Sequence, residues 1–394
     1  MSAAARLDSG RLLDEAAALA GTGEFGEEPD WREGLDRLLE ALRGEARLSP
    51  LGVEVAARDV VRHLANRAAI LAWRRSHPEV GREEIRAPIV IAGQPRTGTT
   101  ILYDLLALDP GFRAPLTWEV DRPVPPPETA SFDSDPRIAE VEAELRAVDR
   151  IVPGFTDFHP MGARLAQECV RITGSSFRSM IFPTQYRVPG YAEWLLRKAE
   201  LGPAYRWHRV FLQHLQSRHR GDRWLLKSPG HLWHLEELAH AYPDVVLIRT
   251  HRDPLRVIAS VAALVAHLRR MASEQTRVAD AAIEFSEWIL LGLDRAVEAD
   301  ERGLVPPDRV IDVHFTRFTA DPLGTVAEIY RRLGRELEPG TLARMRGFLD
   351  AHPGDGGGAG RRYRFSDTGL DPDDLRERTA RYERRFAVEQ EPLA

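Results

Sequence analysis

One short segment constrains the fold more than any other, a run of apolar residues that leads directly into a loop with two glycines. Residues 89–92 read Ile-Val-Ile-Ala, and residues 93–100 read Gly-Gln-Pro-Arg-Thr-Gly-Thr-Thr. Residues 101–108 then have a composition typical of a helix. A buried strand, a glycine loop and a helix open many α/β nucleotide-binding folds. The segment therefore predicts a site where the loop backbone and the helix N-terminus hold a phosphate.

The residue after the second glycine distinguishes this loop from that of P-loop kinases and NTPases. Four residues separate Gly93 from Gly98, as in a Walker loop, but Thr99 stands where those proteins have lysine. That lysine reaches the β- and γ-phosphates, and the hydroxyl after it holds magnesium. A loop without it can still wrap one phosphate. A P-loop kinase or NTPase, or an ordinary structural turn, remains the alternative interpretation.

Further along the chain, short apolar runs alternate with helical segments. The predicted strands are residues 224–226, 245–248 and 310–313, and the predicted helices are 232–241, 255–270 and 325–333. Strands that alternate with helices indicate a mainly parallel sheet covered on both faces. The sequence therefore predicts an α/β fold with a P-loop-like central parallel sheet flanked by helices.

Two regions outside this alternating pattern are predicted to be helical. Residues 9–77 have leucines at helical spacing and turn signals that divide them into about three helices. Residues 137–220 form a second helical region, rich in aromatic residues, within the α/β part. We expect a helical cap over residues 1–85 and one compact α/β domain over 86–394 that contains the insert.

The loop resembles the 5′-phosphosulfate loop of the sulfotransferases that use 3′-phosphoadenosine 5′-phosphosulfate (PAPS). That family usually has Pro-Lys/Arg-Ser/Thr-Gly-Thr-Thr, and residues 95–100 here read Pro-Arg-Thr-Gly-Thr-Thr. The resemblance extends over about residues 88–370. It implies an enzyme that uses PAPS as sulfuryl donor without a metal. It also implies donor contacts from Arg96, Thr97, Gly98, Thr99 and Thr100.

A second element of the resemblance follows the predicted strand 245–248. Arg252 begins the sequence Arg-Asp-Pro, and Ser260 lies eight residues later. Eight residues return to nearly the same face of a helix. In the family an arginine and a serine at these positions both bind the 3′-phosphate. From the residues alone, Arg252 could instead cap the helix or pair with Asp253, and Ser260 could be a small core residue.

A third element lies near the end of the chain. Residues 360–363 read Gly-Arg-Arg-Tyr, and Gly369-Leu370 follows. By resemblance, Arg361 and Arg362 would close over the 3′-phosphate. The alternative is a solvated basic segment. One departure concerns the adenine: many cytosolic members have tryptophan after the second threonine, whereas Ile101 stands here, so the residue that stacks on the base is left open.

Sulfuryl transfer needs positive charge near the leaving phosphate. By resemblance, Arg96 is the loop cation that neutralises the bridging oxygen. Lys227 is the second candidate, because it ends a predicted strand and precedes Arg252 by 25 residues, a spacing found in cytosolic sulfotransferases.

The acceptor hydroxyl also needs a general base. In cytosolic members a histidine follows the lysine closely, and here Lys-Ser-Pro-Gly leads to His231, two residues later than in that pattern. His231 is the first candidate, because an imidazole titrates near neutral pH. Glu119 is the rival, by resemblance to bacterial members with a glutamate base. His159 and Glu168 are weaker candidates. The sequence does not decide among them.

Composition limits the partners. The net charge of −6 argues against a nucleic-acid partner. The single cysteine, Cys169, excludes an intrachain disulfide and fits a reducing cytoplasm. The apolar run 257–268 is too short to span a membrane, and the N-terminal residues do not resemble a secretory signal. We therefore expect a cytoplasmic protein without a membrane span.

The acceptor and the oligomeric state stay open at this stage. The aromatic insert suggests a lipophilic alcohol, phenol or glycolipid, so we expect a small-molecule or lipid hydroxyl, and a homo-oligomer is not excluded. A non-catalytic nucleotide-binding protein is a further alternative. Such a protein would be expected to lose the cations at positions 96, 227 and 252, and all three are present.

Overall fold

The computed structural model describes residues 3–26, 30–151, 162–352 and 363–393. The first half of the chain forms, in order, α1 Ala3–Arg6, α2 Ser9–Ala20, α3 Asp30–Gly44, α4 Pro50–Ser76, β1 Ile89–Gly93, α5 Thr99–Ala107, β2 Phe112–Arg113, α6 Thr117–Asp121, α7 Pro136–Ile151, α8 Cys169–Gly174, α9 Ile181–Gln185, α10 Pro189–Arg197 and α11 Gly202–Gln216. The second half forms β3 Arg223–Lys227, α12 Leu235–Ala241, β4 Val246–His251, α13 Pro254–Leu268, α14 Val278–Glu301, β5 Val310–His314, α15 Phe315–Ala320, α16 Pro322–Arg332, α17 Pro339–Ala351 and α18 Pro372–Phe386.

The chain divides into two compact units. The helical unit comprises residues 1–85, 115–220 and 265–276, and the sheet unit comprises residues 86–114, 221–264 and 277–394. The five strands found among the described residues all lie in the sheet unit. The N-terminal helices and the helical insert therefore belong to one unit.

The sheet is parallel throughout, with the strand order β2-β3-β1-β4-β5. All five residues of β1 are buried, as expected for a central parallel strand covered on both faces. In the register, Ile91 of β1 lies opposite Lys227 of β3, and Gly93 lies opposite Thr250 of β4. The carboxyl ends of β3, β1 and β4 therefore meet at one edge. The predicted central parallel sheet flanked by helices is confirmed.

The helical unit has a core of its own. The leucine stripe of α3 predicted from the sequence is buried, with Leu35, Leu38, Leu39 and Leu42 each at most 2% exposed. Aromatic side chains of the insert also pack inside this unit, among them Phe177, Tyr186, Tyr191, Trp194 and Trp207. Among the described residues, no helix is both long enough and apolar enough to cross a membrane.

Several predicted boundaries differ from the structure. The predicted helix 232–241 is divided into a 3₁₀ turn over Pro229–His234 and the helix α12. The turn begins where Ser228 Oγ accepts a hydrogen bond from the N–H of Gly230, so the chain tightens immediately after β3. The predicted helix 255–270 ends at Leu268 and continues as a short 3₁₀ turn. The strands β3, β4 and β5 each end later than predicted, and β4 begins one residue later.

Candidate active site

The loop after β1 is held in one conformation by close contacts. A Cβ on Gly93 would lie 2.0 Å from Thr250 Oγ1, so only glycine allows β1 and β4 to approach this closely. Gly98 has a φ of 83° and is the N-cap of α5. Thr97 Oγ1 donates to the carbonyl of Gln94 at 2.7 Å and lies 2.5 Å from Thr250 Oγ1. The loop therefore turns onto the N-terminus of α5, the arrangement that binds phosphates.

Arg96, Arg252 and Ser260 come together beside this loop. Arg96 Nε donates to Ser260 Oγ at 3.0 Å, and Arg252 Nη1 donates to the carbonyl oxygen of Arg96 at 2.9 Å. Ser260 is 4% exposed on α13. The sequence predicted these residues on two separate segments, and the structure joins them in one cationic cluster.

Among the described contacts, Arg252 neither caps the helix α13 nor pairs with Asp253. Asp253, fully buried, accepts from the N–H of Leu255 at the start of α13 and forms an ion pair with Arg376 of α18 at 2.7 Å. Arg252 instead lies over the ring of Phe315, 3.8 Å from its centroid, and pairs with Glu391. The capping function therefore belongs to Asp253, and the guanidinium of Arg252 is directed towards an anion.

Lys227 brings a further cation to the same edge of the sheet. It ends β3, is 2% exposed, and its Nζ donates to Thr100 Oγ1 at 3.2 Å. Nζ also lies 5.8 Å from the ring centroid of Tyr103 on α5. A buried ammonium needs polar partners, and the phosphate loop supplies one of them.

The two main base candidates occupy different units. His231 lies in the sheet unit on the 3₁₀ turn after β3 and is 3% exposed. On the same turn, burial lowers the pKa of His234 to about 3, so that imidazole is neutral. Glu119 lies in the helical unit on α6 and is fully buried, and its Oε1 accepts from the N–H of Leu116 at 2.7 Å. This contact caps the start of α6.

The other predicted site residues lie in the helical unit or outside the described residues. Glu168 precedes α8 as its N-cap residue, in the helical unit. His159, Arg361 and Arg362 lie outside the described residues. For Arg361 and Arg362 the contact with the 3′-phosphate therefore stays a prediction.

The comparisons with known proteins agree with this geometry. A sequence model of the sulfotransferase family matches residues 88–339. The chain belongs to the sulfotransferase family. Its described structure is similar to that of the sulfotransferase STF9 from Mycobacterium avium, with 28% identity, a TM-score of 0.88 and 97% of each chain covered. It is also similar to the sulfotransferase STF1 from Mycobacterium tuberculosis H37Rv, with 31% identity, a TM-score of 0.83, and 95% of this chain and 98% of that one covered.

A curated relative has a more specific name. The chain is 27% identical over 268 residues to the omega-hydroxy-beta-dihydromenaquinone-9 sulfotransferase Stf3 of Mycobacterium bovis and of Mycobacterium tuberculosis. The match covers 67% of this chain and 67% of the relative. The predicted sulfotransferase family, P-loop-like fold and transferase activity are confirmed, while the functions of individual site residues stay predictions.

Sequence reasoning missed two residues of the sulfotransferase cluster. Arg256 lies midway between Arg252 and Ser260 at helical spacing, which was a usable signal, and its guanidinium lies 5.4 Å from the ring centroid of Tyr363. Glu391, in the segment after α18, reaches Arg252 over 139 positions of sequence. Only the folded chain shows that contact.

A second charged cluster of the sulfotransferase fixes α18 to the sheet. Asp312 of β5 accepts from Arg249 and lies 2.9 Å from His251 Nε2, and His251 Nδ1 lies 2.8 Å from the hydroxyl of Tyr382 on α18. Burial alone would raise the pKa of Asp312, but the hydrogen bonds from His251 and Arg249 outweigh burial and hold it well below its usual range. Burial lowers the pKa of His251. A neutral imidazole with its proton on Nε2 fits both contacts.

Proposed function

We propose that this sulfotransferase moves a sulfuryl group from PAPS to a hydroxyl group of a lipid-like acceptor, with the donor bound at the carboxyl ends of β3, β1 and β4. One observation carries the proposal: the glycine loop, Lys227 and the pair of Arg252 with Ser260 all lie at this edge of one parallel sheet. Ligands of open α/β sheets bind outside the carboxyl ends of the strands.

Arg252 and Ser260 are proposed to bind the 3′-phosphate. The contacts of Arg252 support this proposal, because its Nε and Nη2 already donate to an anion, the carboxylate of Glu391. A phosphate offers two oxygens to the same fork of N–H groups. Ser260 Oγ lies within hydrogen-bond distance of Arg96, which links this subsite to the loop.

The loop and Lys227 are proposed to hold the 5′ end of the donor. When bound, PAPS supplies the sulfuryl group, and an oxygen of its 5′-phosphate is the leaving atom. The backbone N–H groups of residues 97–100 and the N-terminus of α5 favour negative charge. Arg96 and Lys227 add two cations, which stabilise the charge that grows on the leaving oxygen. Binding and electrostatics of this kind need no covalent intermediate.

His231 is proposed as the general base. In the step, the acceptor oxygen bonds to sulfur, the bond from sulfur to the 5′-phosphate oxygen breaks, and the hydroxyl proton goes to the imidazole. The position of His231, four residues after Lys227 on the turn that leaves β3, supports this assignment. Glu119 is the second candidate, but its carboxylate accepts the N–H of Leu116 at a helix start.

The acceptor class is proposed from the relatives. Stf3 is named for a hydroxylated menaquinone, a lipid quinone with an alcohol group. We therefore propose a long apolar alcohol as the acceptor of this chain.

Binding of the product 3′-phosphoadenosine 5′-phosphate (PAP) tests the donor site. Calorimetric titration should show PAP binding to the unmodified chain and about 100-fold weaker binding to Arg252→Ala, because hydrogen bonds to a charged group contribute about 1.5–3 kcal/mol each. Arg277→Ala is the matched control, since Arg277 is exposed and pairs only locally with Asp280. Binding of ATP with magnesium in place of PAP would overturn the proposal and favour a P-loop kinase or NTPase.

A further inference from the structure

The carboxylate of Glu391 occupies the side of Arg252 that faces an anion. Arg252 Nε donates to Oε1 at 2.8 Å and Nη2 donates to Oε2 at 3.0 Å. Arg256 Nε lies 4.0 Å from Oε2 on the same carboxylate. The side chains of Arg252 and Glu391 are only 11% and 18% exposed. This is therefore a sheltered, two-point ion pair, unlike the exposed pairs on the protein surface.

The segment that carries Glu391 is held in place by contacts other than Arg252. The helix α18 ends at Phe386, and the next residue, Ala387, has a left-handed φ of 49° and turns the chain. Gln390 Nε2 donates to Glu383 of α18 at 2.8 Å. The backbone N–H of Glu391 donates to Asp253 Oδ2 at 2.6 Å. The backbone therefore keeps Glu391 beside Arg252 whether or not the carboxylate is engaged.

Asp253 connects this segment to the phosphate cluster. Its carboxylate is fully buried and also accepts from Arg376 of α18 at 2.7 and 2.8 Å. Burial would lower the pKa of Arg376, but the hydrogen bonds and charges of Asp253 and Glu383 raise it overall, so this ion pair persists at neutral pH. Asp253, which follows Arg252 in sequence, therefore anchors the segment that carries Glu391.

A phosphate and Glu391 cannot use the same N–H groups at once. Arg252 Nη1 donates to the carbonyl of Arg96, and Nε and Nη2 form the edge that binds a two-oxygen anion side-on. Glu391 already takes both of these donors. A phosphate carries more charge than a carboxylate at neutral pH, so it can displace Glu391. A nucleotide whose phosphate binds through Nε and Nη2 must therefore first break this ion pair.

We propose that Glu391 is an intramolecular competitor for the 3′-phosphate. This inference rests on the proposed function, because it takes Arg252 as the 3′-phosphate ligand. Glu391 closes the subsite between turnovers, and its return to Arg252 promotes the release of PAP, which keeps the 3′-phosphate after transfer. The apparent affinity for PAP is lowered by the fraction of molecules in which Arg252 is occupied. AMP, which lacks the 3′-phosphate, has no need to displace Glu391.

The test compares PAP with AMP on Glu391→Gln. The amide keeps the size of the side chain and leaves the backbone contact with Asp253 intact. Calorimetry should show that PAP binds about tenfold more tightly to this variant, the gain expected if Glu391 occupies Arg252 about nine-tenths of the time. AMP should bind equally to both proteins. Glu389→Gln is the matched control, because Glu389 is exposed in the same segment and contacts Thr316 instead.

Unchanged or weaker PAP binding in Glu391→Gln would overturn the inference. An equal increase in the affinity for AMP would overturn it as well. Glu391→Ala is a second variant, and it should also bind PAP more tightly. The rate of PAP release, measured by stopped flow, should be lower in both variants. The inference and the proposed function fail in different ways. If Arg252→Ala abolishes PAP binding but Glu391→Gln has an unchanged PAP affinity, only the proposed competition by Glu391 is wrong. If Arg252→Ala leaves PAP binding intact, the proposed phosphate site is wrong as well.

Discussion

Lys227 Nζ donates to Thr100 Oγ1 at 3.2 Å, so the end of β3 is joined to the loop that follows β1. The chain has only two lysines, Lys198 and Lys227, among 54 basic residues. Lys198 is exposed, whereas Lys227 is 2% exposed. An ammonium is a compact charge on a flexible stem, and a guanidinium is a planar fork. We infer that the compact cation of Lys227 acts with Arg96 at the leaving oxygen, while Arg252 binds the 3′-phosphate.

The first prediction concerns this lysine. Lys227→Ala should lower kcat by about 100-fold to 1000-fold, the usual effect of losing one group that stabilises transition-state charge. Because the 3′-phosphate ligands remain, the Kd for PAP should change much less. Steady-state kinetics and calorimetry measure both quantities, and Lys198→Ala is the matched control. A loss of PAP affinity with kcat unchanged would show that Lys227 only binds the nucleotide.

The second prediction separates the two base candidates. A general base must be unprotonated, so kcat rises with pH through the pKa of that group. His231→Ala should remove this rise and lower kcat by about 100-fold. His240→Ala is the control, since His240 is exposed on α12 in the same unit. If Glu119→Gln removes the rise and His231→Ala keeps it, the base is Glu119.

The third prediction concerns acid stability. Burial lowers the pKa of His234 to about 3, below the ordinary value of 6.5. The unfolded chain therefore binds this proton more readily, and the free energy of unfolding falls as pH drops from about 6.5 towards 3, by about 1.4 kcal/mol per pH unit for each such histidine. Thermal unfolding at pH 7 and pH 5 measures the fall. It should be smaller in His234→Gln and unchanged in His240→Gln. An equal fall in His234→Gln would assign the acid sensitivity to other groups.

The fourth prediction concerns the contact between β1 and β4. Gly93→Ala should lower the free energy of unfolding by about 2–4 kcal/mol, because its Cβ would lie 2.0 Å from Thr250 Oγ1. Adding Thr250→Ala should restore only part of the loss, since the carbonyl oxygen of Thr250 stays 2.7 Å from that Cβ. Chemical denaturation measures both variants. Gly44→Ala is the control, because its Cβ would meet nothing within 4 Å. Full rescue by Thr250→Ala would show that the backbone is not tightly held.

Local patterns predicted most of the sheet and its edge. The apolar run 89–92 and the loop after it are continuous in sequence, so a strand, a turn and a phosphate site could be inferred there. The placing of Arg252 and Ser260 also has a local origin, because Arg252 stands just before α13 and Ser260 lies within that helix. The capping contact of Glu119 with Leu116 also had a local signal, a glutamate three residues after the N-cap.

Contacts between distant segments could not be predicted in this way. The hydrogen bond from Arg96 to Ser260 depends on β1 and β4 being neighbours in the sheet, which no single segment encodes. Glu391 reaches Arg252 because α18 is fixed to β4 by the contact of His251 with Tyr382, and because Asp253 binds Arg376 and the N–H of Glu391.

Transfer of labelled sulfate from PAPS tests the central claim most directly. Purified chain would be incubated with labelled PAPS and a hydroxylated menaquinone, with long-chain alcohols and phenols in parallel. The account predicts a labelled sulfate ester and PAP in equal amounts, and at least 100-fold less of both with Lys227→Ala. Retention of PAPS on the protein without PAP formation on any of these acceptors would contradict it. That result would identify a nucleotide-binding protein that does not catalyse transfer.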